Sequence, residues 1–196
     1  PRLAVWYHAD ITRQRLGARA VGPLVRTCLR RASGLAVSSA SLRDSSPALA
    51  VVRDRVRVIP FGIAPQEWAG VRPDRGGAFL FVGRLVYYKG LGLLLDALRA
   101  VPEARLVVVG AGPLRRRLEQ QARDTGLAGR VRFAGELDDA GLRVEMGRSR
   151  ALVLPSDRPS ETFGLVQLEA MAAGRRSRSG GRSAGAGRGC APSRPA

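Results

Sequence analysis

The chain has 196 residues, 45% of them hydrophobic, so it can bury the core of one large or two small domains. No apolar run approaches the ~18 residues of a membrane-spanning helix, and no signal-peptide pattern is present. The formal net charge of +17 favours an anionic partner such as nucleic acid, phosphate or anionic lipid. The two cysteines, Cys28 and Cys190, lie in unlike contexts, which favours free thiols in a reducing cytosol.

Short Val- and Leu-rich runs alternate with helical patterns along most of the chain. Continuously apolar runs are typical of parallel strands that are covered on both faces. They predict strands at 3–7, 35–38, 56–59, 78–82, 105–109, 131–134 and 151–154. The intervening patterns predict helices at 18–31, 39–49, 90–100, 114–125, 138–148 and 164–173. This alternation predicts an α/β fold of parallel sheets with right-handed crossovers.

Two segments interrupt or end the alternation. Between Ile59 and Ala78, three prolines and four glycines indicate a linker, with a domain boundary near 70–76. The predicted units are therefore 1–72 and 73–174. Residues 175–196 consist of Arg, Gly, Ser, Ala and Pro with one Cys, and such a composition cannot bury a core. We expect a disordered tail, and its abrupt start is also consistent with a cloning junction or a shifted reading frame.

The segment 161–169 carries the pattern that is most informative about function. It places Glu161 on a loop, an aromatic–glycine turn at Phe163 and Gly164, and Glu169 about five residues into a helix. The N-terminus of such a helix presents unpaired N–H groups and a partial positive charge, which favour phosphate. One carboxylate on each side of a diphosphate suits two sugars joined by it. Spacing alone is equally compatible with an ordinary amphipathic helix that carries two solvated glutamates.

Two cations follow the predicted strand at 78–82, at the end where parallel sheets bind their ligands. Arg84 offers phosphate a planar fork, and Lys89 offers it a point charge. Lys89 is the only lysine among 33 basic residues, so its choice is more telling. Arg84 taken alone is better explained by a surface ion pair.

His8, the only histidine, follows the strand at 3–7. A lone histidine is usually structural, and its place at a strand end only modestly strengthens the case for a role in binding. Without a second histidine or clustered cysteines, no protein-held metal is expected. Gly110 and Gly112 match half of a dinucleotide-binding fingerprint, and its third glycine is replaced by Arg115, which disfavours a dehydrogenase. Neither a P-loop nor a hydrolase nucleophile elbow is present.

Four stretches together resemble family 4 of the retaining glycosyltransferases, which have the GT-B fold. They are residues 82–90, 107–114, 131–137 and 154–174. Residues 7–14 resemble, more weakly, a bacterial rhamnosyl- or mannosyltransferase subgroup. The resemblance implies two Rossmann-like units, the first on the acceptor side and incomplete, the second binding the donor and truncated. The family's first strands would precede Pro1, and its last strands would follow Gly174.

The resemblance also implies a role for each candidate residue. The donor diphosphate would be bound by Arg84, Lys89 and the main-chain N–H groups of Phe163, Gly164 and Leu165. Glu161 and His8, the two residues assigned to catalysis, would bind the sugar. Glu169 would bind the ribose, and the base would lie near Glu136 and Leu137. The reaction would move a sugar from a nucleotide-diphospho-sugar, such as GDP-mannose, to a glycan or lipid-linked acceptor with retention. No cofactor and no metal are expected. The location would be cytoplasmic, with contact at the inner membrane face.

Two alternatives stay open at this point. The chain could be a truncated and inactive product, or a basic nucleic-acid-binding module. The arginine-rich tail supports the second alternative. An aromatic content of only 5% disfavours it, because single-stranded RNA is bound largely by stacking on aromatic side chains.

Overall fold

The computed structural model describes residues 2–10, 15–68, 71, 77–156 and 164–179. The described chain forms two compact α/β units, the first ending at Phe61 and the second beginning at Gly62. The division precedes the linker boundary predicted near 70–76, and residues 72–76 of that linker lie outside the described part. The predicted fold class, with two parallel sheets, is confirmed.

The first unit is a three-stranded parallel sheet with helices packed on one face. Its strands are β1 (Ala4–Tyr7), β2 (Gly34–Val37) and β3 (Val56–Val58), in that spatial order. The helices are α1 (Arg15–Arg31) and α2 (Ala40–Ser45). Alternate strand residues turn toward the helices and form a core with Leu29 and Leu49. Ser39 caps α2, because its Oγ accepts the Leu42 N–H at 3.2 Å.

The second unit is a five-stranded parallel sheet that is covered on both faces. Its strands are β4 (Phe79–Val82), β5 (Leu106–Val109), β6 (Val131–Gly135), β7 (Ala151–Leu154) and β8 (Arg176–Ser179). Its helices are α3 (Leu91–Arg99), α4 (Arg115–Asp124), α5 (Asp139–Arg148) and α6 (Leu165–Ala172). The neighbouring strand residues Leu80 and Phe81 are both 0% exposed and belong to different hydrophobic clusters. Both faces are therefore buried, which explains the continuously apolar strand runs.

The strand order β6-β5-β4-β7-β8 reverses direction at β4. Chain connections leave β4 toward β5 and β6 on one side, and β7 and β8 lie on the other. The connections that follow β4 and β7 therefore run in opposite directions along the sheet. Ligands of open α/β sheets bind in the crevice that such a reversal leaves at the carboxyl ends of the strands. The topology thus marks one edge of this unit for binding.

Most predicted elements are present, and their ends shift by a few residues; α2 ends at Ser45 instead of 49. The clear correction is β8. The sequence predicts a disordered tail over 175–196, yet residues 176–179 form a strand that pairs in parallel with β7. The segment has no apolar side chain, so hydrophobic periodicity does not predict a strand there. The residue before it, Arg175, is only 6% exposed, and its Nη1 donates to the Ser149 carbonyl at 3.0 Å.

Candidate functional site

A groove of about 630 Å³ runs along the carboxyl ends of β4, β5 and β6. Three predicted site residues line it together: Arg84 after β4, and Glu136 and Leu137 after β6. All three are exposed, so they are accessible to a ligand. The structure therefore brings the predicted phosphate-binding arginine and the predicted base-binding loop into one cavity.

Bare backbone forms the floor of this groove. Gly83 donates its N–H to the Val109 carbonyl at 3.0 Å, and Leu85 donates to the Ala111 carbonyl at 2.8 Å. A Cβ added to Gly110, where φ is 125°, would collide with the Gly83 carbonyl oxygen. These glycines are needed because the two loops touch through their main chains.

Lys89 lies beside the same groove. Its Nζ is 3.6 Å from the position that a Cβ would take on Gly83. The following residue, Gly90, adopts a left-handed conformation with φ of 69°, and a Cβ there would strike the Pro155 carbonyl. Pro155 comes directly after β7. Lys89 therefore stands where the loops after β4 and β7 approach each other, at the reversal of strand order.

Glu169 lines a second cavity of about 290 Å³, next to the groove. Leu142 lines both cavities and separates them. The other polar lining residues are Glu67, Asp139 and Arg143. Burial, and then the charge of Asp139, raises the pKa of the Glu169 carboxyl above its usual value. Glu169, the residue predicted to bind the ribose, is therefore half-buried. Its cavity and the groove that holds the predicted base- and phosphate-binding residues share the side chain of Leu142.

Helix α6 begins at the same edge of the sheet. Its N-cap is Gly164, which is buried and left-handed with φ of 74°, and Leu165 is the first helical residue and is 40% exposed. Gln167 is 3% exposed and stands one turn into the helix; its N–H donates to the Gly164 carbonyl at 2.9 Å. Two predicted residues of this region, Glu161 and Phe163, lie outside the described residues.

His8 belongs to the first unit and is exposed at the end of β1. Its ring is stacked with those of Trp6 and Phe61, with centroid distances of 6.0 and 5.6 Å and interplanar angles of 14° and 8°. Trp6 and Phe61 also stack on each other at 5.6 Å. Aromatic residues are scarce in this chain, and two of them, Trp6 and Phe61, nevertheless stack with its only histidine.

Sequence reasoning missed several residues near the predicted ones. Trp6 is two residues before His8 and so shares its strand face, a signal that the period of a strand provides. Asp139 follows the helix cap Asp138, whose Oδ1 accepts the Gly141 N–H at 2.8 Å, but only the fold turns Asp139 toward Glu169. Arg143, one turn further along α5, lies 6.0 Å from the ring centre of Trp68.

Two negative observations concern the described residues alone. No group of three His, Cys, Asp or Glu side chains in the described ranges is arranged to hold a metal ion. None of the described helices combines the length and apolar character that crossing a membrane requires.

A comparison with known proteins shows the family to which this chain belongs. Residues 64–175, more than half of the chain, match the family model described as glycosyl transferases group 1. The chain belongs to the group 1 glycosyltransferases. The matched region coincides with the second unit, which holds the groove, Lys89 and Glu169.

Named group 1 relatives add detail. The chain is 38% identical over 174 residues to D-rhamnosyltransferase WbpZ of Pseudomonas aeruginosa, covering 84% of this chain and 45% of the relative. It is 35% identical over 180 residues to O-antigen chain mannosyltransferase C of Escherichia coli, covering 86% and 47%. The chain thus spans less than half the length of these relatives.

Solved structures confirm the fold. HepE of Anabaena, in complex with UDP and glucose, superposes with a TM-score of 0.72 at 23% identity, covering 92% of this chain and 54% of that one. Sucrose-phosphate synthase from Thermosynechococcus elongatus gives a TM-score of 0.74 at 24% identity, covering 91% and 50%. The two parallel α/β units are those of the GT-B glycosyltransferases.

Proposed function

We propose that this chain carries the donor-binding part of a family 4 retaining glycosyltransferase. The enzyme transfers a hexosyl group, mannose-like, from a nucleotide-diphospho-sugar to a glycan or lipid-linked acceptor. One observation carries the proposal: Arg84 and Lys89 flank a glycine floor at the reversal of strand order, and Glu169 lines the adjoining cavity.

The diphosphate binds between Arg84 and Lys89. Arg84 follows β4, and Lys89 ends the turn after it. Their positive charges neutralise the diphosphate, which gains negative charge as the sugar leaves. Fixed charges that are already in place stabilise such a leaving group without reorganisation, which is the largest common contribution to enzymatic rate. The N-terminus of α6 adds unpaired N–H groups and a partial positive charge at the same edge. No divalent cation is required in this scheme.

The nucleoside lies along the rest of the groove. Ionised Glu169 accepts hydrogen bonds from the ribose hydroxyls, and the base rests near Glu136 and Leu137. The arrangement suits a nucleoside diphosphate because the two cavities adjoin, with Leu142 lining both. Arg143 and Asp139 of α5 line the same cavity as Glu169, which supports a contact with the nucleoside in this scheme.

The sugar end is assigned by family resemblance. By that resemblance His8 lines the donor sugar, Glu161 binds its hydroxyls, and transfer retains the anomeric configuration. The named relatives support a rhamnosyl or mannosyl donor, and the ligands of the Anabaena structure support a nucleotide sugar. A lipid-linked acceptor would bring the enzyme to a cytoplasmic membrane face, where the net charge of +17 favours anionic lipid.

Thermal melting of the 196-residue chain tests the proposal. A ligand that binds only the folded state at 100 times its Kd stabilises that state by about 2.7 kcal/mol. We expect GDP-mannose, UDP-glucose or their nucleoside diphosphates to raise the melting midpoint, and free mannose or glucose to leave it unchanged. A cooperative melt that no member of this panel moves at millimolar concentration would remove the proposed function.

A further inference from the structure

Residues 7–10, the turn that carries His8, are bridged by a hydrogen bond between two side chains. Tyr7, the last residue of β1, donates its hydroxyl to Asp10 Oδ1 at 2.7 Å. These two residues bracket His8 and Ala9, both of which are exposed. A side-chain bond across three residues fixes the backbone between them, because it restricts the turn to conformations that keep the two groups in contact.

The same carboxylate oxygen also ties the turn to helix α2. Ser46, at the C-cap of α2 and 0% exposed, donates its hydroxyl to Asp10 Oδ1 at 2.7 Å. The Ser46 hydroxyl in turn accepts the Leu49 N–H at 3.4 Å. The Asp10 carboxylate is therefore the junction of a network that joins residues 36 positions apart in the sequence.

Tyr7 donates to Asp10 from the covered face of the sheet. Burial, and then the hydrogen bond to Asp10, raises the pKa of the Tyr7 hydroxyl, which stays protonated. Tyr7 packs on the covered face of the sheet, beside the core of the first unit. Strand alternation places the Trp6 and His8 side chains on the opposite face, where they meet Phe61.

We propose that Asp10 is a positioning residue for His8. Its carboxylate fastens the turn 7–10 to α2 from the covered side of the sheet, and this holds the imidazole in the stack with Trp6 and Phe61 on the other side. The consequence for catalysis rests on the proposed function, in which His8 lines the donor sugar. The positioning itself is a property of the unliganded chain.

The chain offers an internal probe, because His8 is its only histidine. With histidine labelled by ¹³C, the two ring C–H signals need no assignment. In the native chain we expect both signals to be displaced by ring currents from Trp6 and Phe61. Spectra over a pH series give the limiting shifts of the neutral imidazole, so that variants are compared in one protonation state.

We expect Asp10→Ala to move both signals toward those of free histidine. Asp10→Asn should restore most of the displacement, because its amide oxygen accepts the same two hydrogen bonds. Tyr7→Phe and Ser46→Ala each delete one hydroxyl and should give intermediate shifts. Asp44→Ala is the matched control, since that exposed carboxylate pairs with Arg43 on α2 at 2.7 Å.

Unchanged His8 signals in folded Asp10→Ala, Tyr7→Phe and Ser46→Ala chains would overturn the proposal. Loss of the cooperative melt in all three would also overturn it, because the network would then serve stability alone. Neither result depends on a ligand. If nucleotide sugars fail to stabilise the chain while the signals move as expected, the proposed function fails and the positioning stands.

Discussion

The ammonium nitrogen of Lys89 lies 3.6 Å from where a Cβ of Gly83 would be. The contact places the only lysine of the chain beside the main-chain floor of the groove that Arg84 also lines. A Cβ at position 83 would make ordinary van der Waals contact with the end of the lysine side chain, at 3.5–3.7 Å, so the lysine lies directly against the main chain of residue 83.

Lys89→Met and Arg84→Met should each weaken binding of a nucleotide sugar about 10-fold or more. The reason is that a hydrogen bond to a charged group contributes about 1.5–3 kcal/mol. Isothermal titration calorimetry measures the affinity. Arg99→Met, on the exposed last turn of α3, is the control and should bind normally. Native affinity in both site variants would contradict a diphosphate role for this edge.

The raised pKa of Glu169 predicts how binding depends on pH. The Glu169 carboxyl accepts hydrogen bonds from the ribose hydroxyls best when it is ionised. Affinity should therefore fall as the pH falls through the raised pKa, at a higher pH than for an ordinary glutamate. A nucleotide sugar is the right ligand for calorimetry, because its diphosphate keeps both charges over this range. Glu169→Gln should bind weakly with no such dependence, and Asp139→Asn should move the fall to lower pH.

The same group has the opposite effect on folding. A carboxyl whose pKa is higher in the folded state favours folding below its unfolded pKa, and this contribution is lost as the pH rises through the folded pKa. Glu169→Gln should therefore show a smaller loss of unfolding free energy over that interval than the native chain. Equal pH profiles from urea titrations would show that Glu169 is not desolvated.

Gly110→Ala should destabilise the second unit by about 1–3 kcal/mol or more, the usual cost of overpacking, because its Cβ would collide with the Gly83 carbonyl. The left-handed φ of 125° adds strain. Gly129→Ala is the matched control, since nothing lies within 4 Å of its added Cβ. Urea denaturation gives both free energies. Similar values for the two variants would mean that the loops can separate at little cost.

Ending the chain after Gly174 should lower the melting midpoint, whereas ending it after Ser179 should not. The shorter chain loses β8 and the bond from Arg175 to the Ser149 carbonyl, and it leaves β7 as an exposed edge. Both chains lack the arginine-rich residues beyond 179, so a comparison of RNA binding also tests the nucleic-acid alternative. Salt-sensitive RNA affinity that persists in the chain 1–174, which lacks all six arginines of the predicted tail, would favour that alternative.

Removal of divalent metal should leave nucleotide-sugar affinity unchanged. In the proposed site, Arg84 and Lys89 supply the positive charge that a metal would otherwise provide to the diphosphate. Calorimetry in EDTA and in excess Mg²⁺ measures the difference. A loss of affinity in EDTA that Mg²⁺ restores would show that a cation bridges the phosphates and would change the assigned role of Lys89.

The strand and helix pattern could be predicted because strands β4, β5 and β7 are apolar on both faces, and caps such as Asp138 mark helix starts. Lys89 stood out by composition, and His8 by being single. Strand β8 was missed because it is held by main-chain pairing with β7 and not by apolar side chains. Glu161 and Phe163 stay predictions, since they lie outside the described residues.

The sequence by itself determined the parallel α/β architecture and the residues at the ends of its strands, because hydrophobic period and strand–loop order are local properties. Only the tertiary structure decided which of those residues share a cavity. Glu169 is next to Asp139 and the groove, and Asp10 reaches Ser46, because helices α5, α6 and α2 dock in a particular register on their sheets. That register depends on packing between residues far apart in the chain, which no single stretch of sequence encodes.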